Sequence, residues 1–139
     1  MRLTVRIAAA ALVLLSATSA SAASSDRLEK VVILSRHGVR AAMSTPEKLG
    51  EASARPWPGF DVPPVHLTMR GGQMVELMGG YYRDLYASEG LLKPGDCGAV
   101  YYWANVTQRT IATAQAYGRG ISPGCAVTVN TVGEGRDDP

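Results

Sequence analysis

Lys30-Val31-Val32-Ile33-Leu34-Ser35-Arg36-His37-Gly38-Val39-Arg40 is the stretch on which the reading of this chain turns. Val31 to Leu34 form a short aliphatic, mostly β-branched run. Such a run suits a strand buried on both faces, as in a parallel sheet. Arg36-His37-Gly38 follows at once, at the strand's C-terminal edge. In open α/β sheets that edge is where ligands bind.

Downstream, the pattern alternates between helix and strand. Residues 41–66 contain Pro46, Pro56, Pro58, Pro63 and Pro64 with Gly50 and Gly59, which predicts a long irregular segment pinned by Trp57 and Phe60. Thr68 is the expected N-cap of a helix beginning near Met69. Met74, Leu77, Met78, Tyr81, Tyr82 and Leu85 repeat along it at helical spacing, and Gly90 is its expected stop. Gly71, Gly72, Gly79 and Gly80 weaken this helix intrinsically, so close packing against a sheet or a ligand is expected there. Ala99-Val100-Tyr101-Tyr102-Trp103 is the next strand. Thr107 to Tyr117 is the next helix, with Ile111, Ala114 and Ala116 for packing and Gly118 and Gly120 ending it. Ala126-Val127-Thr128-Val129 is a third strand. The order strand–helix–strand–helix–strand predicts an α/β fold with a largely parallel sheet.

The N-terminus has a different character. Arg2 and Arg6 precede the apolar run Ile7–Leu15, and small residues end in Ala20-Ser21-Ala22. This is the layout of a secretory signal peptide with an A-x-A cleavage site, giving residues 1–22 as signal and 23–139 as one α/β domain part. The apolar run is too short for a bilayer, which needs about 20 residues, so no membrane span is expected once the signal is cleaved. An uncleaved anchor is the alternative. The 139 residues carry 14 basic and 12 acidic side chains, a net charge of +2. Losing Arg2 and Arg6 leaves 12 of each sign, which gives no support for nucleic-acid binding. Apolar residues make up 46% and charged residues 19%, a globular balance. In an oxidising compartment Cys97 and Cys125 read as one disulfide. Two free thiols are the alternative, and neither cysteine has zinc-ligand spacing.

His37 is the residue with chemistry. Phosphoryl transfer needs an in-line nucleophile and positive donors around the transferring oxygens. A neutral imidazole can attack phosphorus and become phosphohistidine. Arg36 and Arg40 flank it, and arginine presents paired planar donors that match phosphate. Arg109, at the start of a helix that follows another strand, can reach the same sheet edge, where helix N-terminal amides also favour an anion. A structural or merely exposed histidine is the alternative.

The run Ser35-Arg36-His37-Gly38-Val39-Arg40-Ala41 resembles the R-H-G-x-R signature of the histidine acid phosphatases, which include phytases, glucose-1-phosphatases and broad acid phosphatases. Leu67-Thr68-Met69-Arg70-Gly71-Gly72 is similar to the family's L-T-x-x-G segment, and Arg109-Thr110-Ile111-Ala112-Thr113-Ala114 to its R-T-x-x-T-A block. Pro123-Gly124-Cys125 resembles the position of a family disulfide partner. The resemblance implies a three-layer α/β/α sandwich of the histidine phosphatase type, incomplete in this chain, with a smaller helical part over the cleft. It implies His37 as catalytic nucleophile and Arg36, Arg40 and Arg109 as phosphate ligands. No metal or organic cofactor is implied, and the partner is a small-molecule phosphomonoester met in the periplasm or outside the cell.

The sequence departs from that family at two places. Ala42 and Met43 stand where the family usually has Pro followed by Thr or another residue. A threonine there helps hold substrate in the phytase branch, and Met43 cannot. The Gln108–Gln115 block looks closer to the bacterial glucose-1-phosphatases, so sugar monophosphates are the expected substrates and phytate the alternative. The family's general acid lies in a downstream His-Asp motif. The only other histidine here, His66, precedes Leu67 and is expected to be structural or on the surface. General acid catalysis contributes about 10²–10⁴-fold, so this sequence is expected to be a fragment, cut near Asp137-Asp138-Pro139, or a truncated phosphate binder. A cytosolic mutase of the same superfamily fits less well, because of the signal peptide and Val39-Arg40. Asn105-Val106-Thr107 fits a glycosylation sequon but reads as a loop and helix cap. Tyr81-Tyr82 reads as packing.

Overall fold

The computed structural model describes residues 26–133 and Arg136. The segment 1–22 lies outside the described residues, so its reading as a signal peptide is not addressed there. In chain order the elements are α1 (Pro46–Gly50), α2 (Met69–Ser88), β1 (Tyr102–Trp103), α3 (Gln108–Ile121) and β2 (Val129–Asn130).

Helix α2 begins and ends as its sequence dictates. The Thr68 side chain accepts a hydrogen bond from the Gly71 amide at 2.9 Å, capping the free N–H groups of the first turn. At the other end Gly90 takes a positive φ of 75°. The Gly90 amide then donates to the Ala87 carbonyl and the Leu91 amide to the Tyr86 carbonyl, the two bonds of a Schellman motif.

Helix α3 does not stop at Gly118 and Gly120 but continues to Ile121. The correction has a steric reason. A Cβ on Gly118 would lie 2.7 Å from a Val127 methyl, and one on Gly120 would collide with the α2 backbone at Glu76. These glycines permit packing and do not end the helix. Helices α2 and α3 bury Val75, Ala116, Tyr117 and Ile121 between them, with Met78, Tyr82, Leu92, Val100 and Tyr102 around this core. Helix α3 joins β1 to β2, which pair in parallel with Tyr102 opposite Val129 and Trp103 opposite Asn130. The parallel ladder agrees with the expected sheet, though it is shorter than the two sequence runs.

Two expectations are corrected. Lys30–Ser35 forms no ladder among the described residues, and Val32 and Leu34 are 86% and 99% exposed. A strand buried on both faces needs neighbours on two edges and two faces, and the described part supplies none of them. Trp57 and Phe60 do not pin down the 41–66 segment either, since both are exposed. The segment is held at its neck instead. Ala41 donates to the His66 carbonyl and Val65 to the Ala42 carbonyl, beside an antiparallel bridge between Arg40 and Leu67. The short helix α1 inside it starts at Pro46, where a missing N–H costs nothing.

Cys97 and Cys125 form a disulfide with Cα atoms 5.5 Å apart. No helix among the described residues is long and apolar enough to cross a membrane.

Candidate active site

The loop Arg36–Arg40 is gripped from two helices. On the α2 side the Thr68 hydroxyl donates to the Val39 carbonyl at 2.9 Å, and the Thr68 amide donates to the same oxygen at 3.0 Å. A Cβ at Gly38 would come within 2.7 Å of a Val75 methyl and 3.1 Å of the Gly71 carbonyl oxygen, so only a glycine lets the loop lie this close to α2. On the α3 side the Gly38 amide donates to the Thr113 hydroxyl at 3.0 Å. The same hydroxyl donates to the Arg109 carbonyl at 2.6 Å. Gln108, the first residue of α3, accepts from the Leu67 amide at 3.0 Å.

His37 is partly buried, and its Nδ1 lies 2.8 Å from the Gly38 carbonyl oxygen. A carbonyl can only accept, so Nδ1 is the donor of this bond, and the tautomer that makes it has its lone pair on Nε2. That arrangement suits a ring that attacks through Nε2.

The arginines differ in their surroundings. Arg36 is exposed. Arg40 is partly buried, and its guanidinium donates to the Ala41 carbonyl at 2.9 Å. The Nε of Arg109 is buried without a hydrogen-bond partner among the described residues. An unmet buried donor on a cation costs free energy unless an acceptor arrives, so this group is suited to an anion. Arg109 stands in the first turn of α3, directly after the loop that leaves the C-terminal end of β1. The Thr113 hydroxyl thus ties the His37–Gly38 loop to the turn bearing Arg109, and Arg36 makes no such tie.

The sequence singled out His37, Arg36, Arg40 and Arg109 but assigned no part to Thr113 or Gln108. Thr113, one turn beyond Arg109 within the Arg109–Ala114 block, was the available signal for the first. His66 bonds through Nδ1 to the Pro64 carbonyl at 3.0 Å, a local structural role. Asn105 of the sequon accepts from the Thr107 amide at 3.2 Å, and Thr107 is the N-cap residue of α3. A cleft of about 310 Å³ between α2 and α3, lined by Gln73, Glu76 and Arg119 among others, shares none of the four predicted residues. Among the described residues no cluster of three His, Cys, Asp or Glu side chains is arranged for a metal ion.

Residues 27–138 match the family model of the histidine phosphatase superfamily (branch 2). A glucose-1-phosphatase from Salmonella typhimurium is 39% identical over 108 residues, covering 75% of this chain and 26% of that protein. The phytase AppA of Escherichia coli is 39% identical over 108 residues, covering 76% of this chain and 25% of that protein. Among solved structures, the phytase of Klebsiella sp ASR1 superposes with a TM-score of 0.70 at 37% identity, covering 80% of this chain and 28% of that one. Hafnia alvei phytase in complex with myo-inositol hexakis sulphate gives 0.66 at 39% identity, covering 76% and 26%. The chain spans about a quarter of the length of the curated relatives it matches. The chain belongs to the histidine phosphatase superfamily, branch 2.

Proposed function

We propose that this protein is an exported phosphomonoesterase that works through a phosphohistidine at His37. In this reading the Nε2 lone pair attacks phosphorus and the P–O bond to the leaving group breaks. Water then attacks the phosphohistidine, releasing inorganic phosphate and restoring the ring. Arg36, Arg40 and Arg109 hold the phosphate oxygens and stabilise charge in the transition state. No metal or organic cofactor takes part. The observation that carries the reading is the His37 ring fixed through Nδ1 on the Gly38 carbonyl, which leaves Nε2 to react. The unmet Arg109 Nε, in the turn tied to the same loop, supports it. Export is supported by the residue pattern of 1–22 and by the Cys97–Cys125 disulfide.

Sugar monophosphates such as glucose-1-phosphate are the preferred substrates in this reading. Met43, 73% exposed beside the loop, brings no hydroxyl to a polyphosphorylated ring. Phytate is the alternative, since relatives with both names match equally well.

The protein as its gene encodes it is incubated with a labelled phosphomonoester and quenched in base, where phosphohistidine survives. Label on the unaltered protein and none on His37→Ala is the expected result. Label on His37→Ala refutes the nucleophile. No label and no released phosphate overturns the phosphatase reading. Comparing glucose-1-phosphate with phytate then decides the substrate, and a clear phytate preference overturns the reading of Met43.

A further inference from the structure

We propose that Thr113 is a positioning residue for the phosphate site, its hydroxyl setting the separation between the His37–Gly38 loop and the turn of α3 that bears Arg109. The inference rests on the reading of His37 and Arg109 given above and adds the part that spaces them.

Thr113 is 8% exposed and stands on α3, one turn beyond Arg109. Its single proton goes to the Arg109 carbonyl at 2.6 Å. Its oxygen lone pair must therefore meet the Gly38 amide, 75 residues away in sequence, at 3.0 Å. The first bond alone is common for a helical threonine, which often bonds back to the carbonyl four residues earlier. The second is not local, and it makes the hydroxyl a bridge between two segments.

Gly38 is held on both sides of its own Cα. Its amide goes to Thr113, and its carbonyl receives Nδ1 of His37. The Thr113 bond therefore restrains one side of a glycine whose free torsions would otherwise let the carbonyl that orients the imidazole turn. The opposite wall is closed, because Val75 and Gly71 of α2 already touch the place a Gly38 side chain would occupy. With α2 fixed behind the loop, the Thr113 bridge sets how far Nε2 stands from the arginine in the first turn of α3. Displacement of about 1 Å in a reacting pair costs roughly 100-fold in rate.

The test compares Thr113→Val, which keeps the size and loses the hydroxyl, with Thr113→Ser, which keeps the hydroxyl and loses the methyl. Two readouts are taken on the protein as its gene encodes it: the Gly38 amide hydrogen-exchange rate, and single-turnover phosphohistidine formation with glucose-1-phosphate. For Thr113→Val the expectation is Gly38 exchange at least about tenfold faster and a rate of phosphohistidine formation lower by about 10- to 100-fold, with Thr113→Ser within about threefold of the unaltered protein in both. Thr113→Ala replaces Thr113→Val if the valine variant does not fold. Equal impairment of Thr113→Val and Thr113→Ser overturns the proposal, because packing would then be the cause. So does a Thr113→Val variant that matches the unaltered protein in either readout. If the unaltered protein forms no phosphohistidine, the proposed function falls, and Gly38 exchange alone decides whether Thr113 fixes the loop.

Discussion

Gly79 of α2 and Gly120 of α3 meet with no room for a side chain between them. A Cβ on Gly120 would lie 2.9 Å from the Gly79 Cα, and one on Gly79 would lie 3.1 Å from the Gly120 Cα. Backbone contact at this crossing brings α3 close enough for Ala116, Tyr117 and Ile121 to share one core with Val75.

The two glycines at the crossing therefore respond to alanine differently from Gly72 and Gly80 of α2. Gly120→Ala and Gly79→Ala force the two backbones apart and are expected to destabilise by about 1–3 kcal/mol or more. Gly72→Ala and Gly80→Ala meet nothing closer than 3.8 Å. Relief of the glycine entropy cost in the helix then stabilises each by about 0.5–1 kcal/mol. Denaturant midpoints of the four variants check the contrast, and a uniform loss across all four contradicts it.

Thr68 has two duties, one toward α2 and one toward the loop. Thr68→Ala removes the cap and the bond to the Val39 carbonyl, with an expected loss of about 1–2 kcal/mol. Thr68→Ser retains both bonds and should recover most of it. Thermal unfolding of the pair measures this, and equal losses would show that the methyl group matters more than the hydroxyl.

The Cys97–Cys125 disulfide spans a sequence separation of 28 residues. Loop-closure entropy for a loop of that size corresponds to about 3.6 kcal/mol. Replacing both cysteines with serine is expected to lower the unfolding free energy by a matching amount and, because the unfolded chain becomes less compact, to raise the slope of the urea transition. An unchanged midpoint would mean that the bond does not constrain the unfolded chain.

Burial pushes the Tyr117 phenol well above its ordinary value, and the neighbouring Tyr82, Tyr86 and Tyr102 add to the shift. The unfolded chain ionises a tyrosine near pH 10, whereas the folded chain keeps this proton to higher pH. The folded state then holds more protons above pH 10, so its stability declines as pH rises through that range. Below pH 10 both states are protonated and the effect vanishes. Tyr117→Phe is expected to flatten the alkaline decline, as followed by unfolding at pH 9 to 12. A decline as steep as in the unaltered protein would assign it to other groups.

Much of the fold was legible in short-range chemistry. Thr68 before an apolar-periodic run, Gly90 after it, and Asn105-Val106-Thr107 before α3 all act within a few residues, and all three marked real boundaries. Strand lengths were not legible, because a ladder depends on a partner elsewhere in the chain. Val32 and Leu34 have the composition of a buried strand but lie exposed with no partner among the described residues. Gly118 and Gly120 look like stop signals until the neighbouring helix is known. Their meaning changes because an absent side chain is also what a close helix crossing requires.

The sequence by itself determined the local chemistry of the site: a histidine between arginines, followed by a glycine, after an aliphatic run. It also determined where α2 begins and ends, since caps are local hydrogen bonds. Only the tertiary structure decided that Thr113, 75 residues from Gly38, bonds the loop to α3, and that the Arg109 Nε is buried without a partner among the described residues. The physical reason is one of range. Capping and turn preferences are settled among neighbours in sequence, whereas a bond between the His37–Gly38 loop and α3 depends on how distant segments pack.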